Sequence, residues 1–258
     1  MTRLTCPVAL AIALTVFAGS RGAAADIIAI NHDGVTAIGD SQSDSAQAAA
    51  AFAEAAWARV PGILARIVQP TFPPREFNLT NFNAVGDGVT DCTASFQRAI
   101  AECSSAGGGS VVVPPGVFLT GPVHLQSRVN LRVTRGATIR FTTNTAAYMP
   151  VVFTRFECTE VMNFSPPIYA LGQTDIAITG EGTLDGQGAA WHRWLGQWNS
   201  DVKRSVEMGD KDVPVSERVF GEGHKLRPNF IQPVRCRNVL IEGVKVIQTG
   251  VGDRYVLE

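Results

Sequence analysis

The sequence predicts an all-β solenoid, and three observations carry that prediction. Beyond about residue 76 the chain consists of short apolar runs broken by glycine, with 25 glycines in 258 residues. These runs do not alternate with helices, which excludes a doubly wound α/β sheet. One unit also recurs: Asn130-Leu131-Arg132-Val133, Asp175-Ile176-Ala177-Ile178 and Asn238-Val239-Leu240-Ile241 align without gaps. Six residues beyond the last apolar position of each stands an aliphatic residue, Ile139, Leu184 or Ile247, with Gly136, Gly180 or Gly243 between. A sandwich or a barrel needs no such repeat. A solenoid does, because each coil buries its inward aliphatics on the next, and unequal offsets between repeats place insertions at chosen corners. Asn130, Asp175 and Asn238 are expected to be bend residues whose side chains bond to neighbouring backbone.

The chain opens with Arg3, an apolar run from Leu4 to Ala18 and small residues ending at Ala25. That pattern reads as a secretory signal peptide over residues 1–25. The run is shorter than the roughly 20 residues a membrane span needs, so no membrane partner is expected and the protein should be secreted or periplasmic. Residues 26–75 read as a leader and a helical extension. Asp26 to Asp44 shows no period; Ala46 to Val68 carries Phe52, Ala56, Val60, Ile63, Leu64 and Ile67 at steps of mostly three and four. Pro61 interrupts that stretch, so two short helices are expected. Pro70 to Pro74 reads as an extended linker.

Residues 76–258 hold the solenoid. Phe77 to Phe82 reads as a strand, and Thr90 or Asp91 is placed to cap a helix over roughly Cys92 to Ser105. Cys92, Phe96, Ala99, Ile100 and Cys103 share one face of it. Gly107 to Gly109 end it, and strands follow at Ser110 to Val113 and Val117 to Thr120 around Pro114-Pro115-Gly116. Asp87 and Asp91 read as turn and cap residues. Trp191, Trp194 and Trp198 have the spacing of one helical face packed on the solenoid, although a sugar-stacking loop fits the same residues. Lys203, Arg204 and Lys211, interleaved with Asp201, Glu207, Asp210 and Asp212, read as a solvated loop.

Lys plus Arg total 22 against 23 Asp plus Glu, so no general cationic field draws nucleic acid, and no nucleic-acid partner is expected. Cys92, Cys103, Cys158 and Cys236 lack metal-ligand spacing and read as buried free thiols. Cys92 and Cys103 would lie roughly 16 Å apart along one helix, too far to bridge. His32, His124, His192 and His224 form no ligand pattern, so no metal and no cofactor is expected.

The string Ala84-Val85-Gly86-Asp87-Gly88-Val89-Thr90-Asp91, continued by Gly107 to Val113 and Leu125-Gln126-Ser127, resembles the opening of the pectin-lyase-like β-helix superfamily. Asn163 to Ala170, Ile176 to Gly188, Leu226 to Ile231 and Arg237 to Val244 resemble glycoside hydrolase family 28, the polygalacturonases. The resemblance implies a right-handed parallel β-helix with an N-terminal capping helix and a pectic polysaccharide as partner. It also implies hydrolysis of α-1,4-galacturonosyl bonds with inversion by a complete, monomeric enzyme. Inversion needs a carboxylic acid and a carboxylate base roughly 6.5–9.5 Å apart. The family supplies them in an Asn-Thr-Asp motif and an Asp-Asp pair, joined by Gly-His-Gly and Arg-Ile-Lys. None of these occurs here: Ala146 follows Asn144-Thr145, no two aspartates adjoin, and His224 sits in Gly223-His224-Lys225. The expectation is therefore a scaffold without catalytic residues, truncated at its C-terminal side and inactive alone. Arg227 is the candidate closest to a substrate carboxylate, with a structural role equally open. A β-helix polysaccharide lyase and a non-catalytic carbohydrate-binding solenoid are the rival readings. An unfinished solenoid would also expose the apolar and hydrogen-bonding face of its last turn, near Asn238 to Ile247.

Overall fold

The computed structural model describes residues 27–31, 34–38, 43–194 and 199–249. The signal-peptide reading falls outside them, and so does Trp198. The chain divides into two compact units, one up to Val68 and one from Gln69.

The first unit holds an antiparallel hairpin, β1 (Ile27–Asn31) and β2 (Gly34–Ile38), where the sequence shows no period. Two helices follow, α1 (Ser43–Ala58) and α2 (Val60–Leu64). The break between them is where Pro61 requires it: proline occupies the first turn of α2, the one part of a helix that does not use its missing N–H.

The second unit winds through five coils. The first contributes β3 (Glu76–Asn78) and β4 (Asp87–Asp91), then the helix α3 (Thr93–Ser105). The second contributes β5 (Gly109–Val113), β6 (Gly116–Thr120) and β7 (Val123–His124). The third runs through β8 (Val129–Val133), β9 (Ala137–Phe141), a hairpin of β10 (Val152–Phe156) and β11 (Thr159–Asn163), and β12 (Ile168–Leu171). The fourth has β13 (Thr174–Gly180), β14 (Thr183–Asp185), α4 (Ala189–His192), α5 (Asn199–Asp210), β15 (Val219–Phe220) and β16 (Ile231–Val234). The fifth has β17 (Arg237–Glu242) and β18 (Lys245–Ile247). Three parallel sheets result, ordered β17-β13-β8-β5-β3, β18-β14-β9-β6-β4 and β16-β12-β7. They are the three faces of a parallel β-helix.

Inward positions alternate along each strand, so the core is a stack of aliphatic columns. Val111, Leu131 and Ile178 stand in one column, and Phe118, Ile139 and Leu184 in another, each at most 2% exposed. Helix α3 closes the first coils with Phe96, Ala99, Ile100 and Cys103. Its leading N–H groups are met by Asp91, whose Oδ1 accepts from Thr93 N at 2.9 Å, and Gly107 and Gly108, at φ +91 and +102, end it. The stretch Phe77 to Phe82 departs from expectation. Only its start is strand, because Asn78 Oδ1 accepts from Thr80 N and turns Leu79–Phe82 into a 3-10 helix.

The repeat itself needs correction. Asp175 and Asn238 do share a corner, with φ +55 and +59, but the residue in register with them, just before β8, is Arg128, at φ +64. Asn130 lies two residues further on, where its Nδ2 donates to Ser110 Oγ and its Oδ1 accepts from Thr179 Oγ1. The bend at Gly136 is longer than the one at Gly180, and the slack is taken up there. At the other end Leu184 pairs with Val246, not Ile247. The side chains of Asn130, Asp175 and Asn238 bond to one another's coils through side chains, where backbone partners had been expected.

Candidate functional site

Both insertions, the β10–β11 hairpin and residues 186–230, leave the solenoid at the same corner, between the second and third faces. They pack on each other: β15 pairs in parallel with β11. Together they cover the third face. Tyr169 hydroxyl donates to Phe153 O, Gln232 Nε2 donates to Arg155 O at 2.8 Å, and Asn229 Nδ2 donates to the same carbonyl at 3.0 Å. The charged run from Asp201 to Asp212, expected as a solvated loop, lies as far as Asp210 on α5, which packs against β11 through Val202 and Met208.

Trp191 and Trp194 are 5% and 8% exposed and pack with Tyr148 and Phe164. Tyr148 meets Trp191 edge to face at 5.2 Å, and Trp191 meets Trp194 at 5.0 Å. Both indoles are therefore core, as helical spacing suggested, and neither offers a free face for a sugar ring. Trp191 also walls a pocket of about 10 Å³, the room of one water, with Pro167, Gly186, Arg227, Pro228 and Phe230. Gly186 is required there, since a Cβ would stand 2.6 Å from the Phe230 ring. Arg227 is 5% exposed, and burial pushes its guanidinium below the ordinary arginine range. A second cation stands close in sequence: Lys225 Nζ lies 5.0 Å from the Trp194 ring centroid.

The aspartates nearest this corner are held by partners. Asp185, 7% exposed, receives Arg140 Nε at 3.2 Å and Gln187 N at 3.1 Å. Asp201, 9% exposed, takes His224 Nδ1 at 2.8 Å and Lys225 N at 2.6 Å. Asp87 and Asp91 serve turns, as their positions indicated. His124 Nε2 sits 2.8 Å from Ser165 Oγ, the spacing of a nucleophile and its base, but Ser165 Oγ donates its proton to Pro166 O at 3.0 Å. The ring nitrogen is then the donor, and burial pushes the imidazole below its usual range. Among the described residues no three His, Cys, Asp or Glu side chains are grouped to hold a metal.

Sequence reasoning missed the Asp201–His224 pair because Asp201 lies in a run of alternating charges and its partner is 23 positions away. The Arg140–Asp185 pair was equally hidden, since it depends on coil register. The cysteine expectation divides. Cys92, Cys103 and Cys236 are free thiols, the first two buried, whereas Cys158 is exposed. Its place at the tip of the β10–β11 hairpin takes it out of the core.

Residues 76–147 match the family model for rhamnogalacturonase A/epimerase, pectate lyase-like. A probable polygalacturonase of Vitis vinifera is 31% identical over 185 residues, 66% of this chain and 36% of that protein. An exo-poly-alpha-D-galacturonosidase of Dickeya chrysanthemi is 32% identical over 131 residues, 48% of this chain and 21% of that protein. The hyperthermoactive exopolygalacturonase of Thermotoga maritima superposes with a TM-score of 0.71 and 49% identity, over 74% of this chain and 45% of that one. This chain thus spans well under two thirds of each. Fold and matches together define a right-handed parallel β-helix of the pectin-lyase-like class. Within that class, the chain is a glycoside hydrolase family 28, polygalacturonase-like protein.

Proposed function

We propose that this chain is the pectin-binding part of a secreted, inverting polygalacturonase-type hydrolase, and that it does not hydrolyse glycosidic bonds by itself. The observation that carries the proposal is the state of the carboxylates. Asp185, Asp201 and Asp175 each accept from a fixed donor at 3.2 Å or less. Inversion needs one carboxyl free to give a proton and another free to activate water. Each of the three is used in a contact that holds one segment of the fold to another, which supports a scaffold role for them. The polygalacturonase activities of the relatives supply the substrate class. Arg227 and Lys225, beside the indoles of Trp191 and Trp194, supply cations of the kind that a uronate carboxylate meets. No helix among the described residues is long and apolar enough to cross a membrane, which agrees with export.

Titration of the purified chain with oligogalacturonate, alongside reducing-end release from polygalacturonate, tests both halves. Binding without release is expected, weakened several-fold in Lys225→Ala and more in Arg227→Ala. Release above a buffer control would overturn the claim of inactivity, and absence of binding would overturn the role in substrate recognition.

A further inference from the structure

Lys225 sits in a segment that glycine makes pliant. Gly221 and Gly223 bracket Glu222, and Gly223 holds φ +86 with nothing within 4 Å of where a Cβ would stand. Glu222 and Gly223 are both exposed. Glycine loses more conformational freedom on ordering than any other residue, so a loop of this composition does not hold its own shape. Its ends are fixed by burial, Phe220 before it and Leu226 after it.

What fixes the middle is Asp201, nearly buried in the first turn of α5. Its two carboxylate oxygens take one donor each from consecutive residues. His224 Nδ1 donates to Oδ1 at 2.8 Å, and Lys225 N donates to Oδ2 at 2.6 Å. A helix N-terminus favours a carboxylate, and hydrogen bonds to a charged acceptor are stronger than those between neutral groups. The His224 ring is held as well against Phe220, centroid to centroid at 5.3 Å and 68° between planes. With the backbone of Lys225 so anchored, its side chain reaches Trp194, where Nζ stands 5.0 Å from the ring centroid. A long lysine stem has many rotamers to lose on binding, and a seated one has lost them already.

We propose that Asp201 and His224 are positioning residues for substrate: together they clasp the glycine-bracketed segment, seat Lys225 on Trp194 and so raise affinity for a uronate carboxylate. The proposal rests on the reading of Lys225 as a cation that meets such a carboxylate. Neither Asp201 nor His224 has to touch the sugar, since each acts through Lys225. What position 224 must supply is narrow: one N–H donor at the place of Nδ1. An asparagine amide nitrogen leaves Cγ as Nδ1 does, whereas that of glutamine lies one carbon further out. Asparagine therefore keeps the clasp and glutamine breaks it.

Two measurements on the purified chain test this. Native-state trypsin digestion reads the seat of Lys225 without any sugar, because cleavage after Lys225 requires the segment to open. Arg227 is followed by Pro228, a bond that trypsin leaves intact, so a fragment beginning at Leu226 reports Lys225 alone. The wild type and His224→Asn should resist, and Asp201→Ala and His224→Gln should release that fragment. Affinity for oligogalacturonate reads the consequence. Asp201→Ala and His224→Gln should bind several-fold more weakly, His224→Asn should keep most of the affinity, and Asp201→Ala added to Lys225→Ala should cost nothing further. Equal resistance of all four chains to trypsin would overturn the clasp, and a loss that adds in full to that of Lys225→Ala would overturn action through Lys225. A wild-type chain that binds no oligogalacturonate would overturn the role of Lys225 in recognition, while the digestion still decides the clasp. Should Asp201→Ala fail to fold, the two His224 variants, one methylene apart, carry both measurements.

Discussion

Asn238 donates its side-chain amide to the carboxylate of Asp175 at 2.6 Å, one coil above the other, and both residues hold the left-handed conformation. The pair couples a backbone requirement to a bond between coils. Asparagine and aspartate tolerate positive φ better than other residues with a side chain, and their short polar groups reach the next coil. Asn238→Asp keeps the shape and replaces the donor with a second carboxylate. A loss of about 1–3 kcal/mol in urea unfolding is expected at neutral pH. Asn238→Gly, which keeps the conformation and removes the bond, should lose less.

The same corner shows what could be read from sequence and what could not. Apolar alternation, the glycine bends and the helix face from Phe96 to Cys103 are local signals, and the solenoid followed from them. Register did not. Side chains in a strand repeat every two residues, so displacing β8 by two leaves every inward residue inward, and Asn130 passes for the corner residue that is in fact Arg128. At β18, Val246 and Ile247 are both apolar, so a slip of one leaves no trace in the pattern. The site was less legible still. Asp201–His224 and Arg140–Asp185 are pairs between distant segments, made by where insertions pack, and no spacing rule predicts them.

Glycine at the bends offers a sharper contrast. A Cβ on Gly180, at φ +109, would stand 2.1 Å from Val133 O, whereas a Cβ on Gly172, at φ +64, would meet nothing within 4 Å. Gly172→Ala should cost only the conformational penalty of about 1–2 kcal/mol. Gly180→Ala adds a collision with backbone that cannot move without displacing β8, so it should cost more than about 4 kcal/mol, in the range where few substitutions fall. Paired urea denaturation curves of the two variants check the ordering.

Asp87 gives the chain an acid sensitivity whose direction is fixed. The hydroxyl of Thr90, then the N–H groups of Thr90 and Val89, hold its carboxylate, lowering its pKa from 3.8 to about 2. A depressed folded-state value means that the contribution is fully present above about pH 4 and is lost as pH falls toward 2. Asp87→Asn should flatten the urea midpoint across that window relative to the wild type. Midpoints that decline equally in both proteins would assign the acid sensitivity elsewhere.

Arg140 and Asp185 form an unequal pair, and the inequality predicts an unequal response. The Asp185 side chain is 9% exposed and that of Arg140 37%. Asp185→Asn leaves an arginine that water still reaches, and the new amide oxygen can go on accepting from Gln187 N. Its cost should be about 1 kcal/mol or less. Arg140→Ala instead leaves a nearly buried carboxylate with one backbone donor, and such a group carries much of its desolvation penalty uncompensated, about 1–3 kcal/mol. Joining the two substitutions removes the charge along with its partner, so the double variant should be more stable than Arg140→Ala alone. Thermal or urea unfolding of the three variants measures the coupling. Equal losses in the two single variants would mean that the pair acts as an exposed ion pair, not as the anchor of the bend that carries Gln187.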